Sequence, residues 1–275
     1  MTNNHLNFKE KVLCWLAILT RRWHPRGIER FLRLIYHPDT CVGFNTIIPY
    51  DKTLKIYINT AFFTEWFIFF KGYYEEPLIK MIKKYLLQNG TFVDVGANMG
   101  DITLIAAKIA KNVIAIEPVP AIAARLQRNC DLNKLNNVKV VRSAVSNKKG
   151  TVSFYLAGKG MHSGMGSFYA EHAKGAKTKV RAETLDEIIG DSKIDFIKID
   201  TEGHDRNVIM GAKKTIKKNR PIIIYEDADD CEKLSDIPQS EIDKFLGGLG
   251  YKQKKFDEQN VLCLPVEKVE EYKKI

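Results

Sequence analysis

The chain has 275 residues, 45% of them hydrophobic, and its 43 Lys and Arg against 33 Asp and Glu give a formal net charge of +10. That length and composition exclude a disordered chain and leave room for one large core or two small ones. The basic excess favours anionic partners such as nucleic acid, phosphorylated substrates or acidic lipid without choosing among them, and lysine doublets such as Lys83-Lys84 and Lys217-Lys218 read as solvated faces.

Residues 1 to about 40 read as amphipathic helix. Leu13, Leu16, Ala17 and Leu19, then Ile28, Phe31, Leu32 and Ile35, recur at helical spacing among Arg21, Arg22, Arg26, Arg30 and Arg33. Two readings stand: a helix packed on the main domain, or, with Trp15 and Trp23, a helix lying on an anionic membrane. The apolar run Val12 to Leu19 falls short of the ~20 residues a span needs, and Arg21-Arg22 follow where a signal peptide needs small residues, so neither a span nor a cleaved signal is expected. "AFFTEWFIFFKGYYEEP", Ala61 to Pro77, is dense in aromatics and reads as core cover or as a lid. Cys14, Cys41, Cys130, Cys231 and Cys263 are scattered and form no C-x-x-C pair, which suits reduced packing residues of a cytoplasmic protein. The organisation expected is an N-terminal helical and aromatic extension over 1–71 and one larger domain over 72–275.

From Thr91 the order is regular. Strands are expected at "TFVDVG", "NVIAIEP" and "VKVVRSAVS", with helices over Asp101–Lys111 and Ala121–Leu135 between them. A hairpin-like excursion over Gly150–Val180 follows, then a short helix at "TLDEIIG" and a strand at "DFIKIDTEG". A helix over Asp205–Lys218, a strand at "RPIIIYE", a helix over Ser240–Leu249 and two close-coupled strands, "YKQKKFDE" and "NVLCLPVE", complete the chain. The alternation predicts an α/β fold with a mostly parallel sheet, and the final pair must be antiparallel.

The chemistry concentrates at strand ends. In "DVGANMG", Asp94 to Gly100, two glycines form the turn, fewer than the G-x-G-x-x-G of a dinucleotide site, and a carboxylate at the strand end repels a diphosphate. The same acid suits a phosphate-free ligand with a cationic amino group, which S-adenosylmethionine presents. Glu117, in "AIEP" with Pro118, stands where an acid accepts hydrogen bonds from ribose hydroxyls. Ser143 and Ala144 stand where adenine would lie. The strand "FIKIDTEGHD" delivers Asp200, Glu202, His204 and Asp205 to the same edge, and "IIIYE" delivers Glu226. A capped helix start is the alternative reading of Asp205 and Thr201. No spacing matches a metal site.

In these motifs, together with "GYYEEP", "LNKLNNVKVVRSAVSNKKGTVSF", "TLDEI" and "GAKKTIKKNRPIIIYE", the sequence resembles the FkbM-type family of S-adenosylmethionine-dependent methyltransferases over Gly72 to Pro265. The resemblance implies a Rossmann-like class I sheet of seven strands, mostly parallel with one antiparallel, and O-methylation of a hydroxyl on a sugar, glycan or small metabolite. It also implies that Asp94, Gly96, Asn98 and Gly100 hold the methionine end, Glu117 and Pro118 the ribose, and Ser143 and Ala144 the adenine, with Asp200 and Glu202 bordering the transfer site. His204-Asp205 stands where the family motif varies and usually ends in a glutamate, and the basic N-terminus lies outside the resemblance. An alcohol needs a positioned base, for which Asp200 or His204 is expected, with Glu202 and Glu226 orienting the acceptor and "GKGMHSGMGSF", Gly158 to Phe168, serving as a lid that includes His162. Rival readings are a nucleic-acid methyltransferase, which lacks its N-P-P-Y-type tetrapeptide here, and a non-catalytic scaffold that binds S-adenosylmethionine.

Overall fold

The computed structural model describes residues 6–23, 27–37, 42–155, 177–227 and 235–272. The expected lid at Gly158–Phe168 with His162, and Cys41 and Cys231, lie outside the described residues. The chain opens with helices α1 (Phe8–Arg22) and α2 (Ile28–Ile35) and an unanticipated hairpin of β1 (Asn45–Tyr50) and β2 (Leu54–Asn59), followed by α3 (Phe63–Lys71) and α4 (Glu76–Tyr85). Helix α1 starts on a capping box, where Asn7 and Glu10 exchange side-chain to backbone hydrogen bonds, and ends on Arg21 and Arg22, which complement the helix dipole. The helical part of the aromatic stretch is core cover, since in α3 Trp66, Ile68, Phe69 and Phe70 are all fully buried beneath α1, while its end at Tyr74 and Glu75 reaches the candidate functional site.

The main domain alternates as expected: β3 (Thr91–Val95), α5 (Asp101–Ala107), β4 (Asn112–Ile116), α6 (Pro120–Leu132) and β5 (Val138–Val141). Then come β6 (Ala144–Val145), β7 (Gly150–Tyr155), β8 (Lys177–Glu183), α7 (Leu185–Ile189), β9 (Phe196–Ile199), α8 (Asp205–Met210), α9 (Lys213–Asn219) and β10 (Ile222–Glu226). The chain closes on α10 (Gln239–Gly248), β11 (Tyr251–Lys255), β12 (Asn260–Pro265) and α11 (Val266–Tyr272). Seven strands form one sheet in the order β11-β12-β10-β9-β3-β4-β5, with β12 alone antiparallel to its neighbours. Seven strands, mostly parallel with one antiparallel, are what the resemblance implies.

Two expected elements divide. The run "VKVVRSAVS" is not one strand: β5 stays in the large sheet, while β6 pairs with β8 in a three-stranded sheet whose other member is β7. Between them Ser143, buried, turns its hydroxyl toward the carbonyls of Ala144 and Arg181. The helix over Asp205–Lys218 breaks at Gly211-Ala212, where a Cβ on Gly211 would stand 2.1 Å from the Ser146 carbonyl oxygen, so the break lets β6 and the helix approach.

Helix α6 ties the hairpin to the domain. Asn133 accepts from Lys55 N at 2.8 Å and donates to Lys55 O, and one turn earlier Asn129 accepts from Tyr57 N at 2.7 Å and donates to Met99 O at 3.0 Å. Two asparagines spaced i,i+4 thus satisfy the open edge of β2, and one of them also holds the glycine loop. One apolar cluster runs from Leu32, Tyr50 and Phe69 through Ile82 and Phe92 to Leu104 and Leu126, so the extension and one face of the sheet share a core.

Candidate functional site

Strand order reverses between β3 and β9: the chain leaves β3 toward β4 and β5, then returns to β9 on the other side. Ligands of open α/β sheets lie in the crevice at such a point, outside the strands' carboxyl ends. Gly96 follows β3 with φ +77, and a Cβ there would lie 1.8 Å from the Asp200 carbonyl oxygen, so only glycine lets this loop lie against the end of β9. Gly100 enters α5 with φ +96, and a Cβ there would meet Leu126 Cδ1 at 2.4 Å. The loop between them is clamped to the end of β4: Gly96 N and Ala97 N both donate to Ile116 O, and Asn98 N donates to Glu117 Oε2 at 3.1 Å.

Glu117 is the clamp's other half, its Oε1 accepting from Val119 N at 2.9 Å. Burial pushes its carboxyl up to about 7 against the opposing pull of these two backbone donors. Each oxygen spends one lone pair on the backbone and keeps another for a ligand hydroxyl. Pro118 beside it is half-buried, whereas Ser143 and Ala144 are buried, Ala144 with Val119, Val180 and Ala182.

The centre of the crevice holds a lysine that motif reading passed over. Lys198 on β9 is the register partner of Asp94 on β3, and its Nζ lies 3.4 Å from Asp94 Oδ1, 3.1 Å from Asp200 Oδ2 and 3.3 Å from Gly96 O. Burial alone would lower its pKa, but Asp200, Asp94 and Glu75 outweigh that and hold it well above the ordinary lysine value, so it stays charged. Asp94, the acid expected to face a cationic amino group, is fully buried, its Oδ2 accepts from Thr103 Oγ1 at 2.6 Å, and its counter-ion in the structure is Lys198.

Around Lys198 stand more carboxyls than it can neutralise. Glu75, preceding α4, and Glu202, at a left-handed turn with φ 53, are both raised above ordinary carboxyls by burial and by the charge of Asp200. Glu226 at the end of β10 is raised for the same reasons, with Asp205, Glu202 and Glu75 adding to the repulsion. Asp101 at the start of α5 is pushed up to about 6 by burial, with Lys198 opposing. Tyr74 feels burial and then Glu75, Asp200, Glu202 and Glu226, and its hydroxyl is raised accordingly. Asp200 is the open member, its side chain 30% exposed. The arrangement thus presents Asp200 on a fixed lysine beside carboxyls that burial and mutual repulsion raise, and this surplus of acid favours a cationic ligand.

Two expected residues turn elsewhere. His204 Nε2 lies 3.0 Å from Ser146 Oγ, just after β6, and burial lowers its pKa to about 4 against the opposing charge of Asp236, so the ring is neutral at pH 7. Asp205, the first residue of α8, does not cap the helix, whose N-cap His204 makes no side-chain cap bond; it ties Thr201 to the end of β10, accepting from Thr201 Oγ1 at 2.9 Å, Thr201 N at 3.3 Å and Glu226 N at 3.2 Å. Lys198, Glu75, Tyr74 and Asp101 are the residues sequence reasoning missed. A lysine inside the otherwise apolar "FIKI" of a strand buried on both faces was a usable signal, since such a charge must have a buried partner. Among the described residues, no group of three or more His, Cys, Asp or Glu is arranged to hold a metal ion.

The methyltransferase FkbM domain family matches residues 94–252, more than half of the chain. No curated protein matches it. Among solved structures, methyltransferase FkbM from Methylobacillus flagellatus KT is similar at 17% identity over 65% of this chain, which spans 44% of that protein, with a TM-score of 0.46. Precorrin-6y C5,15-methyltransferase from Geobacter metallireducens GS-15 is similar at 12% identity, 70% of this chain and 87% of that one, TM-score 0.43. SMU.1697c from Streptococcus mutans, solved in complex with SAH, is similar at 9% identity, 68% of this chain and 95% of that one, TM-score 0.45.

Proposed function

The chain belongs to the FkbM methyltransferase family, and from that premise we propose that it methylates a hydroxyl of a sugar, glycan or small metabolite, using S-adenosyl-L-methionine. The observation that carries this reading is the acid cluster at the switch point, where Lys198 pairs with Asp94 and Asp200 and where Asp200 in turn raises the buried carboxyls of Glu75, Glu202 and Glu226. A ligand bearing a sulfonium and an ammonium supplies the positive charge that this cluster favours, and Gly96 lets the loop lie against the end of β9 beside it. When bound, S-adenosyl-L-methionine supplies a methyl group to in-line displacement and departs as S-adenosylhomocysteine.

The residues divide the remaining work. Gly96, Asn98 and Gly100 line the methionine end, with Asp94 acting through Thr103 and Lys198 to hold the loop. Glu117 and Pro118 take the ribose, and Ser143 and Ala144 the adenine. Asp200, fixed by Lys198, accepts the proton that the acceptor hydroxyl loses. Glu202 and Glu226, their carboxyls raised by burial and by the charge of Asp200, orient acceptor oxygens. His204, neutral and engaged with Ser146, supports the β6 side and leaves the proton transfer to Asp200.

The test is methyl transfer from labelled S-adenosyl-L-methionine to a panel of saccharides and hydroxylated metabolites. Wild type should label a hydroxyl, and Asp200→Asn should slow transfer by about 10²–10⁴-fold, the usual contribution of a positioned base. Label passing to RNA or DNA instead, or an undiminished rate in Asp200→Asn, would contradict the reading.

A further inference from the structure

Helix α1 is apolar on two sides. One side, with Ala17 and Thr20 buried and Leu13 partly buried, packs against α3, where Thr20 Oγ1 donates to Phe70 O at 2.7 Å and Arg21 Nε to Phe69 O at 2.7 Å. On the other side Phe8, Val12, Trp15 and Leu19, which at 100° per residue share an arc of about 60°, face outward, with Phe8 81% and Trp15 63% exposed. Beyond these four, Trp23 at the helix end is 79% exposed, and on α2 Phe31 and Leu34 are exposed too, the latter 86%. A helix that only packed on its domain would turn polar residues outward. The two sequence readings of this segment are thus not exclusive: the inner face is core and the outer face has no partner among the described residues.

We infer that this face docks on the surface of an anionic lipid bilayer, lying in the interface without crossing it. Charge selects the occupant. Between residues 8 and 35 the sequence carries seven Lys and Arg against two Glu, 7 − 2 = +5, half of the chain's net +10 in about a tenth of its length. Lys9, Lys11, Arg22 and Arg30 are exposed beside the apolar residues, which places cations at headgroup level while Trp15, Trp23, Phe8 and Phe31 enter the acyl boundary, where amphipathic aromatics settle. A second copy of the chain fits less well, because a two-fold contact through this patch would bring the same cations face to face. None of the described helices is long and apolar enough to cross a membrane, which agrees with a helix lying flat. The docking does not rest on the methyltransferase reading, since it involves no residue of the crevice.

Flotation of the full chain with vesicles tests it, using phosphatidylcholine alone and phosphatidylcholine with about a third phosphatidylserine. Wild type should float with the anionic vesicles and not the neutral ones, and raising salt to about 0.5 M should release it. The double variant Trp15→Glu/Leu19→Glu should lower partitioning at least about tenfold, and Arg22→Glu/Arg30→Glu should do the same while leaving the apolar face intact. All four positions are exposed, so thermal melting should match wild type. Failure of folded wild type to float would overturn the inference, as would flotation indifferent to both double variants. It would also be overturned by a dimer in sedimentation that Trp15→Glu/Leu19→Glu converts to monomer without vesicle binding, which would assign the face to a second copy.

Discussion

Replacing Lys198 with methionine removes the cation at the centre of the crevice and leaves its volume nearly filled. Asp94, fully buried, would lose a counter-ion 3.4 Å away, and Asp200 would lose one 3.1 Å away. At an effective dielectric of about 20, a pair at such a distance is worth roughly 5 kcal/mol before desolvation is counted, and breaking a buried pair from one side costs about 3–5 kcal/mol. For a chain of this size about 1 kcal/mol moves Tm by roughly 2–4 °C, so Lys198→Met should melt about 10 °C lower. The cost comes from stranding a charge, so adding Asp94→Asn should restore part of the loss, whereas independent sites would add their penalties. Differential scanning fluorimetry of wild type, both single variants and the double variant measures this cycle. Lys198→Met melting within about 2 °C of wild type, or a double variant worse than the sum of its singles, would refute the central ion pair.

Gly96→Ala should abolish ligand binding and lower stability, because its Cβ would lie 1.8 Å from a carbonyl oxygen at a positive φ, while Gly150→Ala, with no heavy atom within 4 Å, should melt like wild type; equal melting of the two would overturn the close approach. Asp101, Asp205 and Glu117 are raised to about 6, 6 and 7, so the folded chain binds more protons than the unfolded one between about pH 4 and pH 7. Their contribution is complete below the ordinary carboxyl value and is lost as pH rises through the folded values, about 3 kcal/mol for Glu117 alone. Ligand-free Tm should therefore fall over that window, with His204, lowered to about 4, offsetting one carboxyl as pH rises toward 6.5; a Tm that climbs steadily to neutrality would contradict the raised values. His204→Ala removes the 3.0 Å contact to Ser146, whose hydroxyl keeps Asn147 Oδ1 at 3.4 Å, and should cost about 1 kcal/mol in stability, yet turnover should survive it and fail in Asp200→Asn, which a comparison of kcat in the two variants decides.

Much of the sheet was legible because burial on both faces writes apolar runs into β3, β4, β9 and β10, and because acids such as Glu117, Asp200 and Glu226 mark where those runs end. What escaped depended on partners distant in sequence. The hairpin β1–β2 carries Pro49 and only a short alternation, and its edge is satisfied by Asn129 and Asn133 more than seventy residues later. The run from Val138 to Ser146 gives no sign that the chain changes sheets at Ser143, since both halves are equally apolar. Lys198 was visible as a residue, but its role follows from the register that sets it beside Asp94. His204 looked catalytic in "TEGHD" because no local pattern says which way the ring turns, and Ser146, fifty-eight positions earlier, decides it.

The most direct measurement is calorimetric titration of the purified chain with S-adenosyl-L-methionine, S-adenosylhomocysteine and NAD, repeated on Glu117→Ala. Saturable binding of both sulfur ligands, weakened in Glu117→Ala, with no heat from NAD, is the predicted result. Binding of NAD in their place, or silence toward both sulfur ligands by folded wild type, would contradict it.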